Sequence, residues 1–361
     1  MPNSNASDAL QWYRQPRDGL HLSNLCEKSL GKSVSHLTAT HYYHVACENE
    51  MQNLRKIVVD WFLVNLMDPS VGQPHLLRRI PIELMTELVA SPNLYVVPGE
   101  KELYELLCMW MYLRIHLGSE PGDLENQGKA RQTLRKLEAA QMTPLRYFAE
   151  RYGPRGSFLE TAAGQPYVKV FQKLRTQYLC ISDSSVKELD DGRVLPAKWV
   201  GGHLLNSWLD SVLYFDVDAE YLPHGMVTSE FFLKRCNRLG IVLTKPSKEW
   251  WRWPNVAIGM DICGTMQDYK LKIRFEYDLK LSGLLKYYQR QQILVRGLVV
   301  ALKEGLQLGH SAKSPIIPLD ASLESGMPVT ILEVNGWLPY PLKVSLNILI
   351  GVPLHESFKV A

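Results

Sequence analysis

The apolar residues of this 361-residue chain change their spacing near residue 228. Before that point they recur every three or four residues, which is the period of an amphipathic helix. Beyond it they alternate with polar residues, as they do in a half-buried strand. Strands without intervening helices pair antiparallel, which favours a sandwich over a doubly wound sheet. The sequence therefore predicts an α+β protein: an all-α domain followed by a β-rich, sandwich-like C-terminal domain with flanking helices.

Apolar stripes predict four helices in residues 33–117. The third helix ends before Pro92, because the residue preceding a proline disfavours helical geometry. Trp61 and Trp110 lie in the second and fourth stripes and are predicted core anchors, since burying an aromatic ring of this size removes ~150–250 Å² from water. The stripe of the first helix contains Leu37, Tyr42, Val45 and Ala46.

The rest of the chain divides at the change of period. Helical spacing predicts one continuous helix over 165–179 and another over 195–213. Alternating spacing with Gly and Pro between the segments predicts strands. These strands are 269–277, 293–302, 327–334 and 342–350.

The charge balance gives no indication of a nucleic-acid or membrane partner. The chain has 40 basic and 37 acidic residues, a net charge of +3, and no basic run beyond Arg78-Arg79. No apolar run approaches the ~18 residues of a membrane-spanning helix, and the N-terminus lacks the apolar core of a secretion signal. We expect no nucleic-acid partner and no membrane insertion.

Cysteine usage indicates a reducing compartment. The six cysteines are spaced singly, without a CxxC pair or a disulfide-like pattern. Most lie within apolar patterns, where a free cysteine behaves as a small apolar residue. We expect an intracellular protein.

Motifs that carry catalytic chemistry are absent from the sequence. It contains no GxSxG, HExxH, GxxxxGK[ST] or GxGxxG. His41, His44 and Cys47 form a conceivable metal patch, but no fourth ligand is near and an exposed helix surface is the favoured interpretation. The acidic stretch containing Asp216, Asp218 and Glu220 lacks the glycine and closing glutamate of a calcium loop. We expect no enzyme activity, no metal and no cofactor.

The stretch EWWRWPN carries the strongest candidate for a binding site. Trp250, Trp251 and Trp253 surround Arg252 just before a predicted strand, and Trp and Arg dominate binding hot spots. In the alternative, two rings fill one end of the sandwich while Arg252 stacks on the third. Both interpretations remain open at this point.

Residues 76–113 resemble a BACK domain, the helical module that follows a BTB domain in cullin-3 ubiquitin-ligase adaptors. The resemblance lies in the short helix at 81–90, the extended Leu94–Val96 segment, and a helix with Glu100 at its start and Trp110 in its interior. The motifs ELMTELVASPNLYVV, ELLCMWMYL, FLETAAGQPYVKVFQKLRTQYL, LPAKWV and WWRWPNVAIGMDI are similar to the germ cell-less family, in that family's order.

The resemblance implies a substrate adaptor of a cullin-3 ubiquitin ligase that acts in germ-cell development and presents a client protein through the C-terminal domain. The recruited ligase would perform the catalysis, and the localisation would be the nucleus or nuclear envelope, with the cytoplasm as another option. The alternatives are a non-ligase scaffold at the nuclear envelope, or a short variant that binds partners without recruiting cullin-3. An enzyme of an unfamiliar type is the third hypothesis.

The predicted organisation comprises an N-terminal segment at 1–32, a BACK-like domain at 33–117, a linker with a helix at 118–165 and the germ cell-less-type domain at 166–361, helical to about 227. The segment GLHLSNLCEKSLGKS resembles only the last BTB helix, so we expect a fragment or a short form. The resemblance assigns the helix with Val34, Leu37 and Tyr42 to the cullin side, where we expect weak binding and an oligomeric state that the sequence leaves open.

Overall fold

The computed structural model describes residues 19–117, 142–152, 156–179, 183–202, 204–205, 227–257, 259–277, 293–302, 308–319, 326–334 and 338–350, together with positions 132, 133, 135 and 336. Helices occupy the N-terminal part of the chain and antiparallel strands the C-terminal part. The predicted α+β fold is confirmed. The predicted domain boundaries stay predictions.

Helices are the regular elements of the described residues up to 235. The first stretch contains α1 (Gly19–Lys32), α2 (Ala39–Glu48), α3 (Gln52–Asn65), α4 (Pro74–Leu77), α5 (Ile82–Ala90) and α6 (Glu100–Leu117). Further along are α7 (Pro144–Tyr152), α8 (Val168–Phe171), α9 (Asp183–Gly192) and α10 (Ser229–Arg235), with 3-10 turns at Phe158–Glu160, Gln165–Tyr167 and Thr176–Tyr178. Residues 197–202 and 204–205 are also helical, within the predicted helix at 195–213.

One apolar core joins the helices that precede α10, whereas Phe232 of α10 packs against two of the C-terminal strands. Trp61 and Trp110 are both buried in this helical core, as their helical spacing predicts. The Trp110 indole donates a hydrogen bond to the Ile80 carbonyl at 3.0 Å, and its ring meets the Tyr167 ring edge-on with centroids 5.5 Å apart. The hydrogen bond satisfies the one polar atom of the Trp110 side chain, so the whole ring can leave water without an unpaired donor.

The predicted helix over 165–179 is wrong. The structure replaces it with two 3-10 turns and the short α8. The chain leaves the helical path before Arg175, whose guanidinium donates to the Leu233 carbonyl at 2.8 Å and also to the Cys236 carbonyl. Contacts with a distant segment therefore override the local helical spacing.

The predicted position of Leu37 on the first helical face is also wrong. Helix α2 begins only at Ala39, because Thr38 forms a turn in which its hydroxyl accepts from the Ser35 amide at 3.0 Å and donates to the Ser33 carbonyl at 2.9 Å. Such side-chain bonds to the backbone compete with helix formation. Leu37 lies in this turn and is 62% exposed.

The described strands form two antiparallel sheets that pack as a sandwich. The first sheet has the order β1-β9-β5-β6, with β7 also on β5, and the second has the order β2-β3-β4-β8. The strands are β1 (Asn237–Leu243), β2 (Trp251–Ala257), β3 (Met260–Gln267), β4 (Lys270–Tyr277), β5 (Ile293–Leu302), β6 (Leu308–Lys313), β7 (Ile317–Leu319), β8 (Val329–Glu333) and β9 (Leu342–Ile350).

Alternation predicts strand β4 well and strand β9 only in part. In β4, Leu271, Ile273 and Phe275 are buried and the residues between them are partly exposed. In β9 both faces are buried. The polar residues Lys343 and Asn347 of β9 are almost fully buried, because the helical part covers this face of the first sheet.

A buried ion pair joins the helical part to the sandwich. The Arg238 guanidinium of β1 donates to both carboxylate oxygens of Glu100 on α6, at 2.6 and 2.8 Å, and neither side chain is exposed. The same guanidinium donates to the carbonyls of Val89 and Ser91 at 3.0 and 2.9 Å. Burying an ion pair is favourable only when such additional hydrogen bonds satisfy its remaining donors.

The extended segment that precedes α6 receives further donors from the first sheet. Arg296 of β5 and Asn347 of β9 both donate to the Pro92 carbonyl, at 3.0 and 2.9 Å. The Gly240 amide donates to the Pro98 carbonyl at 3.2 Å. We call residues 89–100, with the sheet residues that bind them, the junction. Its hydrogen bonds fix the sandwich against the helices.

Lys343 extends the contact between the two parts to the end of α3. Its ammonium donates to the Val64 carbonyl at 3.0 Å and to Asn65 Oδ1 at 2.9 Å, and it lies 3.6 Å from Asp68 Oδ2. A cation at the carboxyl end of a helix interacts favourably with the helix dipole. Burial nevertheless lowers the pKa of Lys343 to about 8.

Removing one partner of the junction ion pair should destabilise the whole molecule. We expect Glu100→Gln to lower the free energy of unfolding by about 3–5 kcal/mol, because Arg238 is left buried without a full countercharge. Urea denaturation measures this loss. The matched control is Glu150→Gln, which breaks the exposed Arg146–Glu150 pair of 2.9 Å and should change little. If Glu100→Gln lowered the free energy of unfolding as little as Glu150→Gln does, the role given to the junction would be contradicted.

Lys343 should make stability depend on pH in the alkaline range. Its pKa is about 8 in the folded chain and about 10.4 in an unfolded one, so the unfolded state binds more protons between these values. The contribution of Lys343 to stability therefore rises with pH there, by about 3 kcal/mol. We expect Lys343→Met to remove this rise when unfolding free energies are compared from pH 7.5 to 10.5. An unchanged slope would contradict the assignment.

Candidate partner-binding surfaces

The tryptophan-rich stretch forms an edge strand of the second sheet. Strand β2 pairs only with β3 among the described strands. Alternation turns Trp251 and Trp253 into the sandwich, where both contact its apolar core. Arg252 points outward, and its side chain is 61% exposed. The stretch is thus divided between the core and the surface.

Trp253 belongs to the core. It is 3% exposed, and its indole donates to the Gly240 carbonyl of β1 at 3.0 Å, which connects the two sheets. The Trp251 ring meets the Trp253 ring edge-on at 5.7 Å. Trp251 also occupies the space that a side chain at position 264 would need, since a Cβ on Gly264 would lie 2.6 Å from the indole. These two rings therefore hold the sandwich together.

Arg252 does not stack on a tryptophan, which corrects one detail of the core interpretation. It instead pairs with Asp261 of β3. The guanidinium that stacks on Trp250 is that of Arg274 of β4, with its Cζ 4.5 Å from the ring centroid. Arg274 also pairs with Glu276 at 2.7 Å. No sequence signal indicated Arg274, because it lies 24 positions from Trp250 and only strand register brings the two together.

The free edge of β2 is poorly suited to pairing with another strand. Pro254 lacks an amide hydrogen, and Asn255 has a positive φ of 52°, at a point where the register with β3 shifts. Prolines and bulges on edge strands block strand addition. A partner on this sheet would therefore contact the outward side chains rather than the strand edge.

The outward face of the second sheet is charged and partly exposed, although Cys263 and Thr265 of its central strand β3 are buried beneath the charged side chains. We call it the outer face; it contains Trp250, Arg252, Asp261, Lys270, Lys272, Arg274, Glu276 and Glu333. Lys270 pairs with Glu333 across β4 and β8 at 2.7 Å, and these side chains are 43% and 62% exposed. Whether the outer face, which includes Trp250 and Arg252 of the tryptophan-rich stretch, binds a partner stays a prediction.

The three residues assigned to the cullin side differ in exposure. Val34 precedes α2 and is 3% exposed within the helical core, so it cannot contact a partner without unfolding. Tyr42 is half-buried, and its hydroxyl lies 3.0 Å from the Ser33 hydroxyl. Leu37 is the exposed member. Any binding at this surface would depend chiefly on Leu37.

His41, His44 and Cys47 are exposed along α2. Across the described part of the chain, no three His, Cys, Asp or Glu side chains are placed to share a metal ion. Asp216, Asp218 and Glu220 lie outside the described residues. Among the helices of the described residues, none combines the length and the apolar character needed to cross a bilayer.

Several germ cell-less proteins match the chain along most of its length. Protein germ cell-less of Drosophila melanogaster is 35% identical over 343 residues, which cover 92% of this chain and 60% of that protein. Germ cell-less protein-like 1 of Homo sapiens is 27% identical, over 91% of this chain and 61% of that protein. Germ cell-less protein-like 2 of Homo sapiens is 26% identical, over 91% of this chain and 59% of that protein.

The chain spans about three fifths of the length of the curated relatives it matches. No protein-family model matches the chain, and neither does any solved structure.

Single tryptophan substitutions should show which tryptophans of the stretch EWWRWPN are structural and which are only on the surface. We expect Trp253→Ala to lower the free energy of unfolding by about 3–5 kcal/mol, because it leaves a cavity between the sheets. Trp250→Ala should cost at most about 1 kcal/mol, which is the scale of an exposed stack on Arg274. Chemical denaturation of both variants measures the difference. Similar losses for both would show that Trp250 is also structural.

Proposed function

By homology along nine-tenths of its length the chain belongs with the germ cell-less proteins, and from that premise we propose that it acts as a substrate adaptor of a cullin-3 ubiquitin ligase. The C-terminal sandwich would hold the client, and the recruited ligase would carry out the chemistry. The observation that carries this proposal is that the helical part covers the outward face of only one of the two sheets. The helical part covers the first sheet, whereas the outer face of the second keeps exposed charged side chains, such as Arg252 at 61% and Glu333 at 62%.

The composition of the outer face supports binding of a protein. It combines an aromatic ring with guanidinium groups, and Trp, Tyr and Arg supply most hot spots in protein interfaces. Arg252 is exposed and held by Asp261, while Arg274 is held by Glu276 and by the Trp250 ring. Side chains that are ordered in advance lose less entropy on binding.

The junction supports the adaptor role because it fixes the orientation of the sandwich relative to the helical part. An adaptor must hold its client at a defined position relative to the ligase. Domains connected by small polar interfaces usually move relative to each other, but here Arg238, Arg296 and Asn347 donate to carbonyls and a carboxylate of the helical part from three different strands. A client on the outer face would therefore keep a constant orientation to the helices.

The proposed setting is germ-cell development, in the nucleus or at the nuclear envelope. The names of the relatives support the first part, and the resemblance implies the second. The chain itself is proposed to contribute binding and no catalysis.

The second candidate is a scaffold that binds partners without recruiting cullin-3. The burial of Val34 favours it, because it leaves Leu37 as the main exposed apolar residue on the assigned cullin side. The two candidates share a client-binding sandwich and differ only in whether cullin-3 is bound.

Cullin-3 binding separates the two candidates. We expect purified chain to retain cullin-3 weakly in a pull-down that includes a BTB-containing adaptor as the positive control. Leu37→Asp should abolish this retention, because a carboxylate replaces an apolar contact. The matched control is Leu205→Asp, at a similarly exposed leucine (56%) on another surface, and it should have no effect.

Thermal unfolding should find both leucine variants as stable as the wild type. Absence of cullin-3 from the wild-type pull-down, with the positive control working, would support the scaffold instead. Equal retention by wild type and Leu37→Asp would show that cullin-3 binds elsewhere.

A further inference from the structure

We infer that the outer face of the second sheet recognises an acidic segment of the client, in which a carboxylate contacts Lys272 and a neighbouring apolar side chain lies on Trp250. This inference rests on the proposed function, because it assumes that the sandwich holds a client. It adds the chemical class of the segment that is held.

Strand register gathers the cations at the centre of the face. Arg252 and Arg274 both lie opposite Cys263, on β2 and β4 respectively. Lys272 is the next outward residue along β4 and lies opposite Thr265 and Thr330. Pairing with β3 thus brings Arg252 of β2 and the two β4 residues Lys272 and Arg274 into one group that no single stretch of sequence contains.

The carboxylates on this face lie at its two ends. Asp261 and Glu276 lie opposite each other at one end, and Glu333 lies opposite Lys270 at the other. Each carboxylate pairs with a cation: Asp261 with Arg252, Glu276 with Arg274 and Glu333 with Lys270.

Four cations and three carboxylates leave one positive charge, at Lys272. Among the described residues, no acidic group lies within ion-pair distance of its ammonium. The centre of the face therefore attracts an anion, while the carboxylates at its ends are neutralised by their ion pairs. A single carboxylate fits this charge pattern.

Trp250 supplies the apolar half of the site. Its ring is partly exposed and is held by the Arg274 guanidinium at 4.5 Å from the centroid. A ring that is already held in place by a cation loses little entropy when a partner covers it. A carboxylate next to an apolar side chain would use Lys272 and Trp250 together.

The same charge pattern argues against a nucleic acid on this face. Nucleic-acid sites need several cations to neutralise successive phosphates. Here three of the four cations are already paired with carboxylates, so only Lys272 is left for a phosphate. A short acidic peptide segment needs only this one cation.

The test uses the full chain and a defined probe. A fluorescein-labelled peptide of alternating Glu and Phe residues is titrated with the chain, and binding is followed by fluorescence anisotropy. A peptide of alternating Lys and Phe residues serves as the control with the opposite charge. We expect the Glu–Phe peptide to bind and the Lys–Phe peptide not to bind.

Lys272→Glu should weaken binding of the Glu–Phe peptide by about tenfold or more, on the scale of one charge-assisted contact. Trp250→Ala should weaken it as well. The matched control is Lys56→Glu, which makes the same charge change at an exposed position of α3 and should leave binding unchanged. Thermal unfolding of each variant verifies that the fold is intact.

Equal binding of the Glu–Phe peptide to wild type and Lys272→Glu, or no binding to wild type, would overturn the inference. So would displacement of the peptide by inorganic phosphate at lower concentrations than by free glutamate, because the face would then select phosphoryl groups. A client that still binds the sandwich of the Lys272→Glu/Trp250→Ala double variant would leave the adaptor function standing and overturn only this site. If no client protein bound the folded wild-type chain at all, the proposed adaptor function itself would be wrong.

Discussion

The Glu100–Arg238 ion pair is the interaction on which the arrangement of the two parts depends. Two opposite charges without solvent exposure would cost several kcal/mol if they had only each other. Arg238 avoids that cost because its remaining donors meet the carbonyls of Val89 and Ser91. Those carbonyls end α5, and Glu100 begins α6. The pair therefore sets the path of the extended segment between these helices, and through it the position of the sandwich.

The junction also determines which surface of the sandwich is left for a partner. Both sheets carry polar residues on their outward sides. The outward residues of the first sheet, such as Arg296, Lys343 and Asn347, find carbonyl and amide acceptors on the helical part. The charged outward residues of the second sheet, apart from Lys272, form ion pairs among themselves and stay at least partly exposed. The difference lies in the partners that each sheet meets, since the hydrophobic patterns of β4 and β9 are alike.

That similarity explains how much of the fold could be predicted from the sequence. Alternation predicted β4, β5, β8 and β9 but missed β1, β2, β3, β6 and β7. It identified Ile273 and Phe275 correctly as core residues. It could not reveal that Lys343 and Asn347 are buried, because a polar residue facing water and one facing a carbonyl look identical in a pattern. The helix predicted over 165–179 failed for a related reason: Arg175 leaves the helical path to bind carbonyls some sixty residues further along.

The candidate site was predictable to the same degree. Local composition drew attention to Trp250 and Arg252, which do lie on the outer face, and also to Trp253, which is structural. Arg274, Lys272 and Asp261 were missed because an antiparallel register, not proximity in sequence, brings them beside β2. A face of this kind has no motif, since its charge pattern exists only after three strands have paired. Sequence composition can therefore identify a surface aromatic residue such as Trp250. The charged side chains that surround it become apparent only once the strand pairing is known.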